Sequence, residues 1–113
     1  MNISDDDQRK IVKWARRNPE VKEVYLYGSR ARCDNDPHSD IDLGIVMNVM
    51  PGNSNASATW MDWFPRYKKN PDLQLSYQVQ LEFYEKSAGL DKVGPGVEQD
   101  GIRIYSEDGE TAD

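Results

Sequence analysis

Two carboxylates, Asp40 and Asp42, stand two residues apart in an apolar run, ten residues after the pair Gly28-Ser29. Each of these residue types has a chemical reason to be there. Glycine lets the backbone turn sharply and approach a ligand closely. Ser29, opening a short helix, offers its hydroxyl and nearby backbone N–H groups to a phosphate. Carboxylates at i and i+2 of a strand project from one face, as paired metal ligands must. Magnesium takes oxygen ligands and is commonly shared between a few carboxylates and substrate phosphates. The set reads as a site for a nucleoside triphosphate and magnesium. Arg30 is a further candidate for the phosphates, because a guanidinium suits their oxygens in a bidentate way.

The elements that must hold these residues can be read around them. Ser4 caps a helix whose first turn carries Asp5, Asp6 and Asp7, and Ile11, Val12, Trp14 and Ala15 supply its apolar stripe. Asn18-Pro19 stops it. Val21 to Tyr27 is a β-rich run ending at the Gly-Ser turn, residues 29 to 34 form a short helix, and Ile41 to Val49 is the second strand. Pro51 to Asn55 is the clearest loop. Ala58 to Lys69 is helical, with Pro65 expected to end or kink it. Its Trp60, Trp63, Phe64 and Tyr67 recur at helical spacing, fitting a core face first and a partner or base-stacking surface second.

From Leu73 the chain alternates through Phe83, which predicts one long strand with a dry and a wet face. Glu82 lies on its wet face and is the best candidate for a third carboxylate ligand. A site for two metal ions and a phosphate needs such a group beside the first pair. A solvated glutamate among glutamines is the plainer alternative. Residues 86 to 100 carry Gly89, Gly94, Pro95 and Gly96 and read as loop. Ile102 to Tyr105 is a last short strand, making residues 1–106 one domain, with an acidic, disordered tail over 107–113.

Gly28-Ser29, ten residues, then Asp40-x-Asp42 resembles the signature of the DNA polymerase beta-like nucleotidyltransferase superfamily. The string GSRARCDNDPHSDIDLGIV is most similar to its minimal nucleotidyltransferases, small proteins often paired with HEPN-domain partners. The resemblance spans roughly residues 8 to 106. It implies an α+β nucleotidyltransferase fold like the polymerase beta palm, a small mixed sheet with helices on one side. It also implies two Mg2+ ions held by Asp40, Asp42 and Glu82 as the catalytic residues. Gly28, Ser29 and Arg30 would then hold ATP or another nucleoside triphosphate. The implied reaction moves a nucleoside monophosphate, AMP above all, to an acceptor hydroxyl. In this family that acceptor is a tyrosine of a HEPN-domain toxin, with the chain as antitoxin. The alternatives are a weak or inactive module that neutralises its partner by contact, and a transferase acting on a small molecule.

Composition narrows the rest. The 113 residues suffice for one modest core. Twenty acids against fourteen bases give a formal net charge of −6, which disfavours long nucleic acid as a partner. No apolar run reaches membrane-spanning length. The start of the chain lacks the features of a signal peptide, and a single cysteine, Cys33, fits a reducing compartment, so the expected location is cytoplasmic. The lone His38 and the flanks of Ser29 support no hydrolytic triad. Cys33 is expected as a small packing residue where relatives often carry glycine.

Overall fold

The chain's structure is a computed structural model that describes residues 1–85 and 101–109. The first helix, α1 (Asp5–Arg16), begins where Ser4 accepts the backbone N–H of Asp7 at 3.0 Å. Its acidic first turn faces the positive end of the helix dipole. The side-chain amide of Asn18 closes the other end by donating to the Trp14 carbonyl at 2.8 Å. Ile11, Trp14 and Ala15 are buried, so the apolar stripe read from sequence is the packed face.

Strand β1 (Val21–Tyr27) leads into α2 (Ser29–Arg32), and β2 (Ile41–Met47) follows a turn through Asp36 to Ser39. Helix α3 (Ala56–Lys69) carries the chain over to β3 (Val79–Phe83), and β4 (Ile102–Ser106) closes the sheet. The strand order is β3-β2-β1-β4. β1 runs antiparallel to both β2 and β4, while β2 and β3 run parallel across the α3 connection. The fold is the expected α+β arrangement with a small mixed sheet.

Both long helices pack on one sheet face. Trp14 of α1 meets Trp63 and Tyr67 of α3 at 5.9 Å between ring centroids, and Trp60 reaches Phe83 of β3 at 5.8 Å. The buried indole of Trp14 donates to Asp72 at 2.9 Å, so its polar atom is satisfied inside the layer. The aromatic stripe is therefore core at Trp63, with Trp60, Phe64 and Tyr67 partly buried beside it.

Four features differ from the sequence expectation. Helix α3 runs through Pro65 to Lys69. Proline removes the donor for the Met61 carbonyl, and Met61 lies on the exposed side, where water can replace it. Residues 73 to 78 are not strand: β2 begins at Ile41, which pairs with Val79, so the earlier residues have no partner there to extend the sheet. Instead the Ser76 backbone N–H and hydroxyl donate to the Asp7 carboxylate, at 3.2 and 3.1 Å to Oδ1. Asp7, read from sequence as a helix-start acid only, is 2% exposed and ties α1 to this segment. Cys33 is exposed rather than packed, and sits at φ +63° where α2 ends. That left-handed conformation is one that glycine adopts most easily, and here a cysteine holds it. The loop expected over 86–100 and the end of the expected tail, 110–113, lie outside the described residues.

Candidate functional site

The sheet face away from the helices collects the sequence-predicted site. Gly28 sits at φ +75°, and a Cβ built on it would lie 2.7 Å from Asp42 Oδ2. Only glycine serves both the turn and that close approach. Its carbonyl accepts the N–H groups of Ala31 and Arg32 at 3.1 and 3.2 Å, which starts α2 at Ser29.

Strand register then decides who stands beside whom. Tyr27 of β1 pairs with Asp42 of β2, and Asp42 pairs on its other side with Gln80 of β3. Glu82 pairs with Gly44, one step further along the same face. The Gln80 side-chain amide donates to Asp40 Oδ2 at 3.3 Å. The structure thus brings Gly28, Asp40 and Asp42 together and puts a neutral amide, Gln80, next to the pair. Among the described residues no three acids, histidines or cysteines gather closely enough to hold a metal ion.

Electrostatics tie Glu82 to the site from a distance. Burial pushes the Asp42 carboxyl above the usual carboxylate range, and the charges of Asp40 and Glu82 push it further, with Arg32 pulling partly back. Burial, Asp42 and Glu82 likewise raise the Tyr27 phenol well above its ordinary value, which keeps it uncharged beside the acids. Like charges held together this way favour a cation. The chemistry of the donors fits one hard divalent ion shared with phosphate oxygens. Glu82 shares the field of the pair, and among the described residues no group of three such ligands stands close enough to hold an ion as placed.

Arg30, expected at the phosphates, points elsewhere. It is 4% exposed and its guanidinium hydrogen-bonds backbone carbonyls. Sequence reasoning also missed Tyr27 and Gln80. Alternation places Gln80 on the face of Glu82, but only the register shows that it faces Asp42.

A mixed sheet with helices on one face and a Gly-Ser turn against an Asp-x-Asp pair on the other defines the nucleotidyltransferase class of fold. The chain belongs to the polymerase beta nucleotidyltransferase family, whose model matches residues 9–110. Two solved structures share the fold. A toxin-antitoxin structure with AMP-PNP is 21% identical with a TM-score of 0.55, over 88% of this chain and 73% of that one. A mutant of the toxin-antitoxin MntA-HpeT is 23% identical with a TM-score of 0.52, over 93% of this chain and 74% of that one. No curated protein matches the chain by sequence. No helix among the described residues is long and apolar enough to cross a membrane.

Proposed function

We propose that this chain is the nucleotidyltransferase-fold member of a toxin-antitoxin pair and restrains a HEPN-domain partner by contact, with a site that transfers nucleotide weakly or not at all. One observation carries this reading: register sets Gln80 beside the Asp40/Asp42 pair, and no three-acid group forms among the described residues. Two carboxylates and a neutral amide can attract one cation but leave the acceptor side without a charged ligand. The likeness of the fold to structures of toxin-antitoxin complexes supports the choice of partner.

Calorimetry separates the possibilities. The product of the adjacent gene, if it is the HEPN-domain partner, should bind tightly while ATP–Mg2+ gives little or no heat. Tight ATP–Mg2+ binding with transfer of labelled AMP to that product, abolished by Asp42→Ala, would overturn the reading.

A second reading has its own observation. The Glu82 charge reaches both Asp42 and Tyr27. A shift of that side chain toward Asp42 would complete three carboxylates and support transfer of a nucleoside monophosphate to an acceptor hydroxyl. Loss of AMP transfer in Glu82→Gln, with partner binding kept, is the result that would favour it.

A further inference from the structure

A buried guanidinium is costly unless all its donors are engaged. Arg30 meets that demand with main-chain oxygen alone. Its Nε and Nη2 both donate to the Ser39 carbonyl, at 3.0 and 2.8 Å. Nη1 donates to the Asn2 carbonyl at 3.1 Å, and Nη2 lies 3.4 Å from the Pro37 carbonyl. The guanidinium carbon stands 4.2 Å from the centre of the Tyr77 ring, a cation–π contact. The Asn2 backbone N–H returns a bond to the Arg30 carbonyl at 2.8 Å.

These partners belong to separate stretches of chain with one thing in common. Ser39 is joined by its peptide bond to Asp40. Tyr77 precedes Gln78, whose carbonyl accepts the Ile41 N–H at 2.8 Å just as β2 and β3 begin to pair. The Arg30 fork therefore sits at the junction where the strand bearing Asp42, with Asp40 just before its start, meets the strand bearing Gln80 and Glu82. We propose that Arg30 is a positioning residue: it fixes these two strand starts, and with them Asp40 relative to Gln80, and it does not bind phosphate. Lysine cannot replace it, because a single ammonium cannot span the Ser39, Asn2 and Pro37 oxygens as a planar fork does. The proposal rests on the acidic face being the functional site, yet its test does not require that face to bind anything.

The test is residue-resolved NMR on the full chain, comparing wild type with Arg30→Lys and Tyr77→Leu. In Arg30→Lys the amides of Asn2, Ser39 and Ile41 should exchange about ten-fold faster or more, while Val24 and Leu26 in β1 keep their protection. The Gln80 side-chain amide signals should move toward those of Asp40→Ala, because Asp40 no longer meets them. Tyr77→Leu should accelerate Ile41 by a smaller factor, and it decides the matter by the same signals should Arg30→Lys fail to fold. Equal acceleration across β1 and β2 would mean a general packing role and overturn the proposal. So would unchanged Ser39 and Ile41 exchange, or an unmoved Gln80 side-chain amide.

Discussion

At Gly28 a single hydrogen stands where any other side chain would strike Asp42. Gly28→Ala forces a residue with a Cβ into φ +75° and puts that Cβ 2.7 Å from Asp42 Oδ2. We expect a loss of about 1–3 kcal/mol in denaturant unfolding. Asp42 carries a cost of the opposite kind. Its carboxyl is pushed up by burial and by Asp40 and Glu82, so the fold favours its protonated form. That contribution is present below the ordinary carboxylate range and is lost as pH rises through the raised value. At neutral pH the ionised Asp42 is therefore a burden, and Asp42→Asn should melt higher, by less than about 1 kcal/mol once solvent screening is allowed for. In acid, where Asp42 is already protonated, the gain should vanish; an Asn variant melting lower at neutral pH would refute this. The types and spacing of Gly28, Ser29, Asp40 and Asp42 were legible in the sequence because their geometry is local. The surroundings of Gln80 were not, since a side chain's partners across strands depend on register, which alternation alone leaves open. Those of Arg30 were not, because its partners are carbonyls of the N-terminal segment and the turn before β2, set by tertiary packing.

Among the elements, caps and stripes were the most legible. Ser4 accepts the N–H of Asp7 and marks the helix start read from sequence, while Asn55, read as the end of a loop, caps α3 two residues earlier than expected by accepting the N–H of Ala58. Ser4→Ala should cost about 1 kcal/mol, read from the unfolding midpoint. The strand expected over residues 73 to 83 shortened to Val79–Phe83 because strand length depends on a partner, and β2 supplies one only from Ile41 onward. The α1–α3 layer also sets an alkaline limit. Burial, then Asp72, raises the phenol of Tyr67, and burial with Glu107 raises that of Tyr105, partly countered by Arg16. Groups raised in the fold lend stability that is complete below their unfolded pKa, about 10, and is lost as pH climbs through the folded values. The melting temperature should fall above about pH 10, and Tyr67→Phe should flatten part of that fall. A variant as alkali-sensitive as the wild type would contradict the assignment.

Over the whole molecule the two sheet faces divide the labour. One is sealed by α1 and α3 around Trp14 and Trp63; the other carries Tyr27, Asp40, Asp42, Gln80 and Glu82. A net charge of −6 strengthens the acid repulsion on that second face and disfavours long polyanions. Whether the chain restrains its proposed partner by contact is read directly from the growth of cells co-expressing the adjacent gene's product with wild type or with the Asp40→Ala/Asp42→Ala double variant. Restraint by contact gives equal rescue by both, with no AMP on the partner. Rescue lost in the double variant while the complex still forms, together with AMP on the partner in the wild type, would contradict it.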